Sequence, residues 1–322
     1  MRSSVRSFLF LLLLPVLVQC QGVTGEPPVQ RVSVAFGVAE SKGVTESSVQ
    51  SLDVFLFRAD GTLDSWARAN GGKVSVRVTA NIPLTYWVVG NCPQSLSAGI
   101  RTEASLRNTL MQLGDNLVRC VMTGRGEDAF GADRSVAVKL DRLVAKVSIE
   151  SITASFLDAG FAGQEAVLES VFLANAVGTC PYGGTPFAGT VWYNRMGYEA
   201  SDVDALLYRR YDKPVSASEE ILDCNLYCCP NPFSDVSVDV DSAPLWSPRC
   251  TRLVVQVRVG SDRYYYGIQL PAMQCNHHYL VRNLILLGPG SDHPDRNVVR
   301  NAVRFTVSVN PWIAEPDIPV DF

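Results

Sequence analysis

The sequence predicts an all-β protein of two β-sandwich domains carrying short helical insertions. Three observations predict it. Short runs of alternating or continuous apolar residues recur along the whole chain. Gly, Pro, Asn and Asp clusters separate them at close intervals. Helical spacing is confined to two short stretches, and the βαβ alternation that would signal a parallel sheet is missing. The length of 322 residues agrees, since about 150 residues per domain gives about two.

Composition narrows the function classes. A hydrophobic share of 47% can fill packed cores, which excludes a mainly disordered chain. With 28 Lys+Arg against 32 Asp+Glu, the balance lacks the concentrated basic face of a nucleic-acid binder. Three histidines leave little material for metal sites or His-based acid–base chemistry. Nine cysteines raise the question of compartment, because disulfides persist where conditions are oxidising.

The N-terminus speaks to that question. Arg2 and Arg6 precede the apolar run Phe8–Val18, which is too short for the ~20 residues of a membrane-spanning helix and fits a signal peptide. Leu17-Val18-Gln19-Cys20 resembles a bacterial lipobox, which makes Cys20 the lipidation candidate and residues 1–20 a lipoprotein signal peptide. Gln19 stands where a small residue is usual, and a plain secretory signal is the alternative. No later run is long and apolar enough to span a bilayer, so lipid is the expected membrane attachment.

After a polar linker over 21–30, Val32, Val34, Phe36 and Val38 alternate with small or polar residues, the pattern of a half-buried strand. A polar break over 40–46 follows. Residues 51–57 read as a strand that is apolar on both faces, with Asp60-Gly61 as a turn. Strands are expected over 73–79 and 85–89. Leu106, Leu110 and Leu113 predict a short amphipathic helix over 103–113. Two more strands over 135–140 and 143–149 bracket the expected boundary between an N-terminal domain, 21–142, and a C-terminal domain, 143–322. In the latter, 166–175 resembles the earlier run ending at Asn91. Residues 201–208 hold a helical turn, and 226–229 a strand stopped by Pro230. A hairpin over 251–270 turns at Gly260-Ser261-Asp262, and strands over 279–287 and 302–309 complete the set.

No catalytic signature emerges. G-x-S-x-G, H-E-x-x-H and Walker patterns are absent. Gly288-Pro289-Gly290-Ser291 lacks the following helix that a phosphate cradle needs and reads as a turn. His277-His278 has no thiolate or carboxylate partners at ligand spacing. Neither enzyme activity, a metal nor a cofactor is expected. With Cys20 set aside, eight cysteines remain, an even number that favours disulfides in an exported chain. Cys92 and Cys120 are the only pair in the first domain and the expected bridge there. Cys250 is expected to pair with Cys228 or Cys229.

Several runs resemble the fimbrillin family, the type V pilins and fimbrial lipoprotein subunits of Bacteroidales-type bacteria. Tyr86-Trp-Val-Val-Gly-Asn91 matches a family run that ends in Ala-Asn, with Gly90 replacing the alanine. Val121-Met-Thr-Gly124 matches a Pro-Met-Ser/Thr-Gly element in part. Leu140-Asp-Arg-Leu-Val-Ala-Lys-Val147 matches the strand at the domain junction closely. Leu226-Tyr-Cys-Cys-Pro-Asn231, Arg263–Leu270, Asn276–Val281 and Val307–Trp312 follow in family order. The resemblance implies two tandem transthyretin-like β-sandwich domains. It also implies export as a lipoprotein to the outer-membrane surface and a place in a fimbrium that serves adhesion.

It further implies that an Arg/Lys-specific protease removes the first strand and that another subunit's strand fills the groove. The removable strand is then Val32, Val34, Phe36 and Val38, with Lys42 as the maturation site. Cutting at Arg31 would leave the strand attached. Ile318, Val320 and Phe322 alternate as the donor-strand candidate, although Pro316 and Pro319 lack N–H groups. The implied partners are other fimbrial subunits, the outer membrane through lipid, and a host or bacterial surface receptor, with no nucleic acid. An alternative of another class is a surface glycan-binding lipoprotein that never polymerises, suggested by Trp192-Tyr193 and Tyr264–Tyr266.

Overall fold

The computed structural model describes residues 30–38, 48–93, 96–157, 160–161, 163–184, 187, 189–298 and 302–312. Contacts separate Met1–Gln30 from Arg31–Phe322, and the architecture is that of the second unit. Its first part holds β1 (Arg31–Gly37), β2 (Ser51–Arg58), β3 (Leu63–Asn70), β4 (Lys73–Thr79) and β5 (Pro83–Gly90). Then come α1 (Glu103–Asn108), β6 (Leu110–Gln112), β7 (Met122–Ala129), β8 (Arg134–Ala137) and β9 (Asp141–Arg142). The second part opens with β10 (Ala145–Ala154), β11 (Ala166–Ala174), β12 (Ala176–Val177), β13 (Thr179–Pro181) and β14 (Trp192–Tyr193). It continues with α2 (Asp204–Leu207), β15 (Tyr208–Val215), β16 (Glu220–Cys228), β17 (Arg252–Val259), β18 (Asp262–Gln269), β19 (His277–Leu286) and β20 (Val303–Pro311). The fold is all-β with two short helices, as the sequence predicts.

In the first part, a three-stranded sheet β4-β1-β8 packs on a five-stranded sheet β3-β2-β5-β7-β9. Their facing side chains make one core, with Val34 and Phe36 meeting Val54, Leu56, Leu84 and Val88. β2 is buried on both faces. Leu52, Val54 and Leu56 enter that core, whereas Phe55 and Phe57 join Trp87 and Val89 in a second one. This second core extends through the rest of the molecule, between the sheets β16-β10-β19-β20 and β15-β11-β17-β18. One small sheet joins residues from either side of 142, where β6 pairs antiparallel with β13.

That pairing corrects the expected helix over 103–113. Thr102 caps α1 by accepting from the Ser105 amide, but the helix stops at Asn108 and Thr109 is already extended. Leu110–Gln112 trades helical bonds for a ladder with Thr179–Pro181. As a strand, the segment buries Met111 in the shared core.

β7 was absent from the sequence expectation because Gly124, Gly126, Glu127 and Asp128 give it no strand pattern. Packing accounts for the glycines. A Cβ on Gly126 would overlap the Tyr86 hydroxyl, and one on Gly124 would overlap the Lys139 carbonyl.

Asn91 and Asn175 close β5 and β11 at φ 60° and 53°, where asparagine is among the best tolerated residues. Asn91 donates to the Ser48 and Cys120 carbonyls, and Asn175 donates to Asp295. The likeness of the two runs is therefore a likeness of strand endings. Around Asp295 lies a buried charge cluster. Arg249 Nη1 stands 2.7 Å and Arg252 Nε 3.0 Å from its carboxylate oxygens, all three side chains out of contact with solvent. The Arg252 contact is an ion pair without hydrogen-bond alignment. The cluster fastens the loop before residue 298 against β17.

Candidate functional site

β1 occupies the middle of its sheet. It pairs antiparallel with β4 over all seven residues, from Arg31↔Thr79 to Gly37↔Lys73. On its other edge it runs parallel to β8, from Val34↔Arg134 to Gly37↔Ala137. The Ser33 amide donates to Asp133 Oδ1 at 2.7 Å, and the Val38 amide donates to the Gly72 carbonyl at 3.0 Å. Alternation then sorts the side chains. Val32, Val34 and Phe36 point into the core at 6%, 0% and 0% exposure, while Arg31 faces solvent. Val38, one residue past the strand, packs on the same core. Phe36 seats against Tyr86 at 5.1 Å and Phe130 at 6.2 Å between ring centroids.

The four residues expected in the removable strand are thus brought together on one face. Taking β1 away would leave β4 and β8 with unpaired backbone edges on either side of an apolar trench floored by Val54, Leu56 and Val88. β10 holds the corresponding place in the second part, antiparallel to β16 and parallel to β19. Lys42, Cys20 and the donor candidates Ile318, Val320 and Phe322 lie outside the described residues.

A polar clasp closes the sandwich beside the trench. Asp64, on β3, accepts from the Thr79 amide at 3.1 Å and the Thr79 hydroxyl at 2.7 Å, the last residue of β4. Arg58 Nη2 reaches the same carboxylate at 3.0 Å. Burial alone would raise the Asp64 pKa. The bonds from Thr79, Arg58 and Ser65 outweigh it and hold the carboxyl below its ordinary range. The sequence reading missed this residue, because Leu63–Asn70 is too polar to read as a strand.

The eight described cysteines are free thiols in this structure. Cys92 Sγ is aimed across the molecule at the Tyr182 hydroxyl, 3.3 Å away, and Cys120 is buried as a thiol. Cys228 Sγ contacts Met273 Sδ at 3.7 Å, and burial pushes its thiol up to about 12. Cys229 is buried as well, and Cys250 sits within the field of Arg252 and Asp295.

The tyrosine run does not form a platform. Tyr266 is fully buried and donates to the Gly288 carbonyl at 2.8 Å, and Tyr264 stacks edge-on to Phe161. Trp192 is 7% exposed. His277 and His278 bond the Cys275 carbonyl and the Ser148 hydroxyl. Among the described residues no three His, Cys, Asp or Glu side chains converge on a metal-sized site. No described helix is long and apolar enough to cross a membrane.

These features define an all-β protein of packed β-sheets, with its first described strand inserted into a sheet between two others. No family model matches the chain, and no curated protein matches it by sequence. Solved structures do match its fold. A candidate cell adhesion protein from Bacteroides eggerthii superposes with a TM-score of 0.63 at 17% identity, covering 89% of this chain and 98% of that one. A fimbrilin from Porphyromonas gingivalis gives 0.61 at 14% identity, covering 88% and 98%. The tip fimbrial protein of the same species gives 0.51 at 12% identity, covering 88% and 100%. The chain has the fimbrillin fold.

Proposed function

We propose that the protein is a fimbrial subunit, exported and displayed at the cell surface, that joins its neighbours by strand exchange at the β1 groove. The observation that carries this reading is the position of β1. It is a central strand, yet it is the first described element, and the polar segment that holds Lys42 separates it from the next strand. A cut there severs β1 from the chain without touching any other described strand. The vacated trench offers two unpaired edges and an apolar floor, which a foreign strand satisfies by β-augmentation. Side-chain alternation sets its register, since a slip of one residue would turn its apolar side chains to solvent. Lipid on Cys20 would hold the precursor at the outer membrane until the cut releases it. The C-terminal tail with Ile318, Val320 and Phe322 is the donor in this reading, and the chain is divided at 142/143. An anchor subunit would differ in keeping both its lipid and β1.

N-terminal sequencing of the mature surface protein is the test. A start at Gly43 in assembled fibres is the expected result. Fibres whose subunits begin at lipidated Cys20 would overturn the exchange at β1.

A further inference from the structure

Cys180, in β13, and Cys275, just before β19, bring their Sγ atoms to 3.9 Å of each other. A disulfide requires about 2.05 Å, so the two sulfurs must close the remaining gap on oxidation. Both line an apolar cavity of about 460 Å³ together with Pro181, Phe187, Pro230 and Met273. That volume is within the range that admits a small molecule. The two thiols are not equivalent. Cys180 is 1% exposed, whereas Cys275 is only partly buried. Their mutual hydrogen bond favours a thiolate on Cys275 and a protonated thiol on Cys180, so the Cys275 pKa is lowered and the Cys180 pKa raised.

We infer that Cys180 and Cys275 are a redox pair that closes to a disulfide when a small disulfide oxidant enters this cavity. Cys275 Sγ, as thiolate, attacks one sulfur of the oxidant. The oxidant's S–S bond breaks, and its second sulfur leaves as a thiolate. Cys180 Sγ, once deprotonated, attacks Cys275 Sγ, and the first oxidant sulfur departs. The protein loses two electrons and two protons, and the oxidant gains both as two thiols.

The location gives the bond a consequence. β13 pairs with β6, on the other side of residue 142. Cys275 Sγ, while protonated, also donates to the Leu143 carbonyl at 3.4 Å, a bond it gives up on becoming a thiolate, and the Asn276 amide donates to the Val144 carbonyl at 3.1 Å. Oxidation would therefore staple β13 to the place where the chain passes from its first part to its second.

The test uses the full chain treated with oxidised glutathione, alkylated, digested without reductant and mapped by mass spectrometry. A peptide linking Cys180 to Cys275 is expected. The thermal midpoint should rise by roughly 5–10 °C, reversed by dithiothreitol. Cys180→Ser should accumulate glutathione on Cys275, and Cys275→Ser should leave Cys180 reduced. Full alkylation of both cysteines after oxidation, or a link from either to a different cysteine, overturns the pairing. Should the serine variants fail to fold, the map of the unaltered chain decides alone.

Discussion

Asp64 shows how one carboxylate can govern the edge of a sandwich. Its side chain has no solvent exposure, and it bonds Thr79 of the opposing sheet as well as Arg58 of its own. Its pKa is depressed because those bonds favour the ionised form by more than burial disfavours it. The sign follows from linkage. A carboxyl whose folded pKa lies below its unfolded value, about 3.9, contributes stability that is fully present above that value. That contribution is lost as pH falls through the depressed folded value. Urea denaturation should therefore give the same midpoint at pH 7 and pH 5 and a falling one below about pH 4. Asp64→Asn should lower the midpoint at pH 7 and flatten its acid limb. An unchanged acid limb in the variant would mean that other carboxylates carry the effect. Glu169 and Asp239, whose pKa values are also lowered, would be next to test. For both, burial opposes the shift and hydrogen bonds overcome it, to Gln256 and Arg263 for Glu169 and chiefly from Ser242 and Asn297 for Asp239.

Among elements, β1 holds its place through three buried side chains and two ladders. Burying Val32, Val34 and Phe36 is worth about 1.5–3 kcal/mol each. Phe36→Ala would remove the ring that Tyr86 and Phe130 contact and leave a cavity, costing about 3–5 kcal/mol. Chemical denaturation of the uncleaved chain should show that loss. Arg31→Ala, at an exposed position of the same strand, should stay within about 0.5 kcal/mol. β1, β2, β4 and the β17–β18 hairpin were legible in the sequence because their alternation or doubled apolar faces match their burial. β3, β7 and β15 were not. They are half-exposed, and their polar or glycine residues serve packing and sheet edges instead of a hydrophobic stripe. The helix over 103–113 was half legible. Its leucine spacing fits both a helix and the short strand that follows it, and only the distant β13 decides between them. For the site, Val32, Val34 and Phe36 were readable from period two alone. The wall supplied by β8 depends on contacts across 100 positions of chain, and the clasp at Asp64 on a strand of weak pattern, neither of which local spacing encodes.

At the scale of the molecule, the second core holds residues from both sides of 142, the expected boundary. Phe55, Phe57, Trp87 and Val89 belong to the same buried cluster as Val147, Leu173, Val177 and Tyr182. The β6–β13 ladder and the Cys92–Tyr182 hydrogen bond cross the same line. Arg142 adds a polar strut. It donates to the Trp312 carbonyl at 2.9 Å and stacks its guanidinium over that indole at 4.2 Å. Two sandwiches joined by a small polar contact would melt separately, because interdomain surfaces of that kind leave each core intact. A shared apolar core instead exposes new hydrophobic surface on both sides if only one part unfolds. The chain should consequently unfold in one transition. Tryptophan fluorescence and far-ultraviolet circular dichroism should trace the same curve, with equal midpoints and slopes. Met111→Asp would bury an unpaired charge at the β6–β13 junction and should split that curve in two. Two transitions in the unaltered chain would show that the junction, for all its burial, does not couple the two parts.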